Sequence, residues 1–381
     1  MRIGIDCRTI LNPESGERAG VGHYTDALVR ALLELDRENE YVLFFDYRTK
    51  REAAHVFEQP NVKIKFLPFS GYGKFMPVAY SHLLVAAAFA KERLDVLHGP
   101  ANVVPLGFRW PFVITLHDLA IYRHPEWFPH QMFSTRLLVP QSLRRAKHII
   151  AVSKATRDDA RELFNLSAKK ITVIPEAATT DLLALNDRKH NVRTVYKLPK
   201  NYLLYVGTIE PRKNLVNLFR AWQQLLRHQP EIAKDTQLIL AGSIGHDGED
   251  ILPQIKKMKM GKSIRHLGYV SHNHKILLMK NATGFVFPTS YEGFGLPVLE
   301  AMQLGVPVIS SNTSSIPEVA DGAALLIDPN DVGDLVNAME KLLGDAQLRS
   351  TLAQKGKAQA ARFSWQKAAK ATLQVYQKAV R

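Results

Sequence analysis

The chain has 381 residues, which is too long for one ordinary hydrophobic core and suits two domains of roughly 150–200 residues each. Its 46% hydrophobic and 23% charged residues exclude a disordered chain. No run reaches the ~20 apolar residues that cross a bilayer, and "MRIGIDCRTI" begins as a strand rather than as a signal peptide. A single cysteine, Cys7, leaves no disulfide to form and fits a reducing cytoplasm.

The net charge of +14 is shared by both halves of the chain and clusters in two places. One is "KKMKMGK" (Lys256–Lys262), and the other is the tail after Asp345, which carries basic residues and no acid. Such a surface favours anionic partners, namely phosphorylated ligands, nucleic acid or an acidic membrane. Solvated helix faces explain the same lysines, so charge alone does not choose between these hypotheses.

Short apolar runs alternate with helix-length patterns along the chain, which predicts an α/β fold with parallel sheets. Seven runs come first: RIGID, YVLFF, VKIKFL, DVLHG, PFVITLHD, HIIAVS and ITVIP. A polar stretch near 178–200 follows and is predicted to be a linker. Six more runs come after it: NYLLYVG, QLILAG, IRHLGYV, GFVFPTS, PVISS and ALLIDP. The sequence therefore predicts two doubly wound units.

Helix signals fit this alternation. In "HYTDALVRALLEL", Tyr24, Leu28, Ala31, Leu32 and Leu35 fall on one helical face and are predicted to be buried. Ser271 and Asn214 stand where helix N-caps are expected.

Open parallel sheets bind ligands beyond the carboxyl ends of their strands, so the loops after strands are the candidate sites. Gly20 and Gly22 come directly before a predicted helix, where bare backbone can approach a phosphate; a plain flexible turn explains them equally. His117 follows a buried strand that ends at Leu116. It is predicted either to face a ligand or to be satisfied by local backbone groups.

Two further loops carry charge. In "LLYVGTIEPRKNLVNLF", Arg212 and Lys213 stand directly before a helix, an arrangement that favours a diphosphate. In "GFVFPTSYEGFGLPVLEAMQLGVPVIS", Glu292 is predicted to lie in a loop at 288–296 and Glu300 one turn into a helix at 297–304. Carboxylates accept hydrogen bonds from paired hydroxyls on a sugar or ribose. Exposed N–H groups between them suit a phosphate.

Together, "EGFGLPVLEAM", "VGTIEPRKNL" and "TLHD" resemble the retaining GT-B glycosyltransferases of the large family 4, in particular bacterial mannosyltransferase-like members that build surface polysaccharides. The resemblance extends over nearly the whole chain. It implies a Rossmann-like domain at 1–178, a linker at 179–200, a donor-binding domain at 201–363, and a helix at 364–381 that returns to the first domain. The two domains would face each other across a cleft.

The resemblance also implies roles for individual residues. His117, Lys213, Arg212 and Glu292 would be catalytic, with the two cations on the diphosphate and His117 and Glu292 on the transferred sugar. The other donor-binding residues would be Gly20, Gly22, Thr208, Phe294, Gly295, Leu296 and Glu300, the last on the ribose. Two positions depart from the family: Thr208 replaces an arginine or serine, and Glu176-Ala177 replaces Asn-Gly.

The implied reaction moves a hexose, with mannose from GDP-mannose favoured, to a glycan or polyprenyl-diphosphate-linked acceptor, with retention at the anomeric carbon. The nucleotide sugar is the donor substrate, and no cofactor or metal is expected, because the sequence has no Asp-x-Asp motif. We expect a cytoplasmic protein that docks on the anionic inner face of the membrane. "GYGKFMPVAYSHLLVAAAF" is a candidate docking segment and equally a buried helix.

Two alternatives stay open. A nucleotide-sugar epimerase or phosphorylase would use the same fold, and product formed without an acceptor would identify an epimerase. A non-enzymatic basic protein that binds a membrane or nucleic acid would use the positive charge alone. Nucleic acid is disfavoured, because the basic clusters are poor in the aromatic residues on which bases stack.

Overall fold

The structure, a computed structural model, describes residues 1–11, 20–67, 80–128, 133–179, 191–245 and 247–381. The chain divides into two compact units. The N-terminal unit contains Met1–Tyr122, His130–Glu176 and Ser364–Arg381, and the C-terminal unit contains Arg123–Pro129 and Ala177–Phe363. The predicted boundaries at 178, 200 and 363 stay a prediction, and residues 180–190 of the predicted linker lie outside the described residues.

The N-terminal unit is built on a seven-stranded parallel sheet in the order β3-β2-β1-β4-β5-β6-β7. Its strands are β1 (Arg2–Asp6), β2 (Glu40–Asp46), β3 (Val62–Leu67), β4 (Val96–Gly99), β5 (Phe112–Leu116), β6 (His148–Ala151) and β7 (Ile171–Val173). The order reverses between β1 and β4, which is the doubly wound pattern that the sequence predicts.

Helices separate most of these strands in the chain, while a loop at residues 100–111 joins β4 to β5. The helices are α1 (Gly20–Leu35), α2 (Arg51–His55), α3 (Val85–Lys91), α4 (Ala120–Arg123), α5 (Phe133–Arg145) and α6 (Lys154–Phe164). On α1, Tyr24, Leu28, Ala31 and Leu32 are buried as predicted. The prediction was wrong for Leu35, which is 47% exposed because the helix ends there.

The C-terminal unit has a six-stranded parallel sheet in the order β10-β9-β8-β11-β12-β13. Its strands are β8 (Asn201–Val206), β9 (Thr236–Ala241), β10 (Ile264–His266), β11 (Gly284–Phe287), β12 (Val308–Ser311) and β13 (Leu325–Ile327). The strand order again reverses once, here between β8 and β11. All thirteen apolar runs of the sequence therefore form strands, and the α/β prediction is confirmed.

The helices after β7 follow in chain order. They are α7 (Val192–Val195), α8 (Leu215–His228), α9 (Pro230–Ala233), α10 (Pro253–Lys257), α11 (His272–Lys280), α12 (Leu296–Gln303), α13 (Ile316–Ala320), α14 (Val332–Gly344), α15 (Ala346–Ala360) and α16 (Trp365–Val380). The last one, α16, packs on α1 and belongs to the N-terminal unit, so the predicted return of the final helix is confirmed.

The two predicted caps have different outcomes. Ser271 caps α11 by accepting a hydrogen bond from the His274 N–H at 3.3 Å. Asn214 occupies the N-cap position of α8 but does not cap it, which corrects the prediction. Its backbone is left-handed, with φ of 58°, and its side-chain amide donates instead to the Pro329 carbonyl at 2.6 Å.

The candidate docking segment is only partly described, because residues 68–79 lie outside the described residues. From Tyr80 onward it forms a π-helical turn and α3, in which Tyr80, Val85 and Phe89 are buried. These residues belong to the core of the N-terminal unit, while Leu83 is 63% exposed. Among the described residues, no helix combines the length and apolarity that crossing a membrane requires.

Glu92 provides a test of electrostatic stabilisation in the N-terminal sheet. Its carboxylate, just after α3, contacts Arg2 of β1 at 3.0 Å and Lys63 and Lys65 of β3 at 2.8 and 3.2 Å. Burial raises the pKa of Glu92, but these three cations outweigh it and lower the pKa from 4.5 to about 2. Because the folded-state pKa is depressed, the stabilisation is present above pH 4.5 and is lost as the pH falls toward 2.

We therefore expect Glu92→Gln to lower the free energy of unfolding at pH 7 by roughly 1 kcal/mol, a value discounted for solvent screening. The difference from the wild type should shrink as the pH falls below 4.5. Urea unfolding between pH 7 and pH 3 measures it, with the exposed Glu34→Gln on α1 as the control. A difference that is constant over this range would contradict the proposed role of the carboxylate charge.

Candidate active site

The reversal of strand order in the C-terminal unit places two charged loops side by side. One follows β8 and leads through a 3₁₀ turn at Pro211–Lys213 into α8. The other follows β11 and leads into α12. Because β8 and β11 are parallel neighbours in the sheet, both loops lie at its carboxyl edge, where open parallel sheets bind ligands. Lys213 and Glu292 come from these two loops.

Lys213 and Glu292 form a buried ion pair in which the lysine ammonium donates to Glu292 Oε1. Their side chains are only 8% and 10% exposed. Arg212 Nη1 lies 3.5 Å from Glu292 Oε2, and the Thr289 hydroxyl donates to Glu292 Oε1 at 3.0 Å. Glu210 completes the network, with its Oε1 2.6 Å from Arg212 Nε and 3.8 Å from Lys213 Nζ. Two cations and two carboxylates thus balance one another.

Burial and charge act in opposite directions on this pair. Burial raises the pKa of Glu292, but the charges of Lys213 and Arg212 outweigh it, so the pKa lies below its usual 4.5. Burial lowers the pKa of Lys213, and the negative charge of Glu292 offsets only part of this effect. The neighbouring positive charge of Arg212 also lowers the pKa. The Glu292 carboxylate is therefore held in its charged form by its partners.

Backbone bonds between the two loops fix this geometry. The Ser290 N–H donates to the Arg212 carbonyl at 2.8 Å, and the Thr289 hydroxyl contacts the same carbonyl at 3.2 Å. On the other side, the Ser314 hydroxyl accepts the Glu292 N–H at 2.9 Å. Hydrogen bonds to neighbouring segments therefore hold the backbone that carries Arg212 and Glu292 in place.

Glu300 forms a second ion pair, one turn inside α12. Lys275 of α11 donates to its two carboxylate oxygens at 2.7 and 2.8 Å. The Glu300 side chain is 10% exposed and that of Lys275 21% exposed. A carboxylate has about four acceptor positions, so Glu300 can bind a pair of hydroxyls while it keeps Lys275.

The glycine-rich loop before α12 depends on Gly295. Gly295 is the N-cap residue of α12 with φ of 100°, a conformation that favours glycine. An added Cβ would also lie 2.7 Å from Ile316 Cδ1. Phe294 is buried against Phe363, and Leu296 starts the helix. The helix begins at Leu296 and ends at Gln303, one residue earlier at each end than predicted.

In the N-terminal unit, β5 ends at Leu116 as predicted, and His117 follows. Its Nδ1 lies 3.1 Å from Glu176 Oε1 and its Nε2 2.8 Å from the Pro100 carbonyl oxygen. Burial lowers the pKa of His117, but Glu176 raises it more, so the net shift is upward. Both expectations for His117 thus meet here: local groups satisfy the ring, and one of them is a carboxylate.

The remaining predicted site residues have simpler surroundings. Gly20 and Gly22 are not in a loop before the helix but in the first turn of α1, which corrects the expectation. Glycine can adopt helical backbone angles as well as loop angles, so spacing did not distinguish the two. Residues 16–19 of the same motif lie outside the described residues. Thr208 is exposed, and its carbonyl accepts a hydrogen bond from the Tyr205 hydroxyl at 2.9 Å.

Four side chains of these networks were not among the predicted site residues: Glu176, Glu210, Lys275 and Thr289. Glu210 lies in the quoted "VGTIEPRKNL" motif, so its proximity to Arg212 was available from the sequence. Thr289 lies three residues before Glu292 in the quoted glycine-rich stretch, so it was available from the sequence as well. Glu176 and Lys275 are distant in the chain from His117 and Glu300, and only the fold brings them together. In the parts of the chain that the structure describes, no group of three His, Cys, Asp or Glu side chains is arranged to hold a metal ion.

Comparison with known proteins agrees with this architecture. Sucrose-phosphate synthase from Thermosynechococcus elongatus superposes with a TM-score of 0.76 at 22% identity, over 99% of this chain and 98% of that one. This similarity and the two Rossmann-like units show that the chain has the GT-B fold. The family model for Glycosyl transferases group 1 matches residues 187–359, and that for Glycosyltransferase Family 4 matches residues 18–182.

The sequence relatives include bacterial mannosyltransferases. O-antigen chain mannosyltransferase B of Escherichia coli is 32% identical over 94% of this chain and 95% of its own length. Serotype-specific mannosyltransferase WbdA of Escherichia coli is 29% identical over 70% of this chain, which corresponds to 33% of that protein. The chain belongs to glycosyltransferase family 4, the glycosyl transferases group 1, and is a glycosyltransferase.

The buried pair of Lys213 and Glu292 predicts a specific pattern of stabilities. Removing one partner by Lys213→Met or Glu292→Gln changes the charge balance in a buried site, and we expect each to lower the free energy of unfolding by about 3 kcal/mol. The double variant should be clearly more stable than the sum of the two losses predicts. Urea unfolding of the four proteins measures the coupling, and additive losses would contradict a direct interaction.

Proposed function

We propose that this glycosyltransferase moves mannose, with retention at the anomeric carbon, from GDP-mannose to a glycan or polyprenyl-diphosphate-linked acceptor of a surface polysaccharide. The observation that carries this proposal is the buried network of Lys213, Arg212 and Glu292 at the strand-order reversal of the C-terminal unit. The names of the Escherichia coli relatives support the choice of mannose. Their O-antigen and serotype functions support the choice of a polysaccharide.

In this proposal the C-terminal unit holds the donor. Lys213 and Arg212 neutralise the diphosphate, and the backbone N–H groups of Phe294, Gly295 and Leu296 contact the phosphate or the sugar. The Lys213 ammonium carries three N–H bonds, so it can bind a phosphate oxygen while it keeps Glu292. Glu292 then accepts hydrogen bonds from the hydroxyls of the transferred sugar.

Four further contacts complete the proposed donor site. Glu300, supported by Lys275, accepts the two ribose hydroxyls, since both of its oxygens retain acceptor capacity. Gly20 and Gly22 lie in the first turn of α1, where a helix N-terminus attracts an anion, and they approach a donor phosphate. His117 acts on the donor sugar from the N-terminal unit, and Thr208 lies beside the diphosphate.

The proposed reaction breaks the bond between the anomeric carbon and the diphosphate oxygen. The acceptor hydroxyl oxygen forms its new bond on the same face of the sugar, and its proton passes to the leaving phosphate. Negative charge builds on that phosphate, so preorganised cations and N–H dipoles supply most of the acceleration. With no Asp-x-Asp motif in the sequence, we assign this charge to Lys213 and Arg212 and propose a metal-independent enzyme.

The basic surface fits a polyprenyl-linked acceptor. With a net charge of +14, the chain is attracted to anionic lipids at the inner face of the cytoplasmic membrane. The sequence has basic clusters at Lys256–Lys262 and in the tail after Asp345. We therefore propose a peripheral membrane location, in which the enzyme meets its acceptor at the lipid surface.

The role of Lys213 is tested by transfer from GDP-mannose to a polyprenyl-diphosphate-linked glycan. We expect Lys213→Ala to lower kcat by about 10²–10³-fold, corresponding to roughly 2–4 kcal/mol of lost transition-state stabilisation. The variant is assayed well below its unfolding temperature, with the exposed Lys341→Ala on α14, outside both basic clusters, as the matched control. Undiminished turnover would refute the electrostatic role, and product formed without acceptor would favour an epimerase.

The donor class is tested by isothermal titration with GDP, UDP, ADP and dTDP in the presence of a chelator. We expect GDP to bind most tightly and the affinity to fall in Glu300→Ala, because the ribose loses its acceptor. Preferential binding of another nucleotide would replace GDP in the proposal. If no nucleotide binds the folded protein, the proposed donor site is wrong.

A further inference from the structure

His117 has two hydrogen-bond partners that can only accept. The Pro100 carbonyl oxygen lies 2.8 Å from its Nε2, and a Glu176 carboxylate oxygen lies 3.1 Å from its Nδ1. A neutral imidazole has one N–H and one bare nitrogen, so it satisfies only one acceptor. An imidazolium has two N–H groups and satisfies both.

We propose that Glu176 is a positioning residue that holds His117 as an imidazolium, so that His117 serves as a cation and hydrogen-bond donor and not as a base. This inference deepens the proposed function and rests on it for the role of His117 in sugar transfer. The protonation of His117 itself is a property of the N-terminal unit and requires no ligand.

His98, on the neighbouring strand β4, shows the opposite arrangement. Its Nδ1 contacts the Tyr376 hydroxyl at 2.7 Å and its Nε2 the Thr115 hydroxyl at 2.8 Å. A hydroxyl can donate or accept, so a neutral ring satisfies both partners. Burial and the charge of His117 lower the pKa of His98 to about 3. The unit thus contains a buried and a partly buried histidine whose partners select different protonation states.

The groups that face His117 favour the charged ring. Glu176 after β7 and Asp118 after β5 both raise its pKa, and they outweigh burial. The ring centroid of Tyr24 on α1 lies 4.7 Å from that of His117, in an edge-on arrangement. Burial raises the pKa of Tyr24 and lowers that of His98, so neither side chain carries a charge at neutral pH.

The backbone of His117 is also fixed. Its N–H donates to Asn102 Oδ1 at 2.9 Å, and its carbonyl accepts from the Thr156 hydroxyl at 3.2 Å. With both backbone groups and both ring nitrogens held, the imidazolium has a single orientation. A substrate oxygen that approaches Nε2 would share or replace the bond to the Pro100 carbonyl.

A fixed imidazolium suits the proposed reaction. A hydrogen-bond donor to the transferred sugar that is already oriented needs no reorganisation as the bond to the diphosphate breaks. A base is not required from His117, because the acceptor proton passes to the leaving phosphate. Glu176 therefore contributes through His117, without contacting the substrate.

The first experiment observes the histidine rings of the ¹⁵N-histidine-labelled wild-type protein by long-range ¹H–¹⁵N NMR at pH 7. The His117 signals are assigned by their loss in His117→Asn. We expect both His117 nitrogens to be protonated, while His98, the internal control, shows one protonated and one bare nitrogen. A bare nitrogen on His117 at pH 7 would overturn the inference, and this needs neither donor nor acceptor.

The second experiment compares Glu176→Gln with Glu176→Asp. We expect His117 of the glutamine variant to be neutral at pH 7, because the paired negative charge is gone. As the pH rises, the kcat/KM of this variant should fall at a pH about 1–3 units lower than the kcat/KM of the wild type does. The aspartate variant keeps the charge and should restore the profile. A charged His117 in Glu176→Gln, or an unchanged pH profile, would refute the role of Glu176.

If Glu176→Gln does not fold, the wild-type titration decides the question, because the His117 pKa must lie above and that of His98 below the ordinary value of 6.5. The two proposals fail separately. A folded wild-type protein with an imidazolium at His117 but no transfer from any sugar nucleotide would refute the proposed function alone.

Discussion

The C-terminal unit depends on one constraint, which is that the charges of Lys213 and Glu292 are removed from water together. Either charge alone would be costly to bury, so the two loops that carry them must meet. The strand order, with β11 next to β8, brings these loops together. The 3₁₀ turn before Asn214 and the bonds from Thr289 and Ser290 then fix their separation. The strand order of the sheet therefore determines which charged side chains meet in the candidate site.

The N-terminal unit uses a different kind of support. His117 is packed against Tyr24, whose hydroxyl bonds to Thr115, and Thr115 bonds in turn to His98. The chain of contacts ends at Tyr376 on α16. Because each hydroxyl can reverse its direction, this chain is satisfied without any charge, and the positive charge stays at His117 beside Glu176. The final helix of the protein therefore supports the ring that we place in the reaction.

The sequence was sufficient for the strands and insufficient for the charge partners. Buried parallel strands are continuous apolar runs, so all thirteen were visible. Glu292 and Glu300 stood out because glycine and proline surround them. Lys275 and Glu176 did not, because their partners lie 25 and 59 residues away in the sequence. The cap prediction at Asn214 failed because its left-handed backbone directs the side chain to Pro329, a tertiary contact that no local pattern encodes.

The division of the chain between the two units has a consequence for biosynthesis. The N-terminal unit includes α16, and Trp365 of this helix lies against Tyr24 of α1. A ribosome delivers α1 before the C-terminal unit and α16 after it, so the surface of α1 that α16 covers stays uncovered while the C-terminal unit is made. The first sheet can assemble as it emerges, but its unit is complete only after the second unit has been synthesised. A nascent chain of this protein therefore exposes the apolar surface of α1 for longer than the strand order of the first sheet suggests.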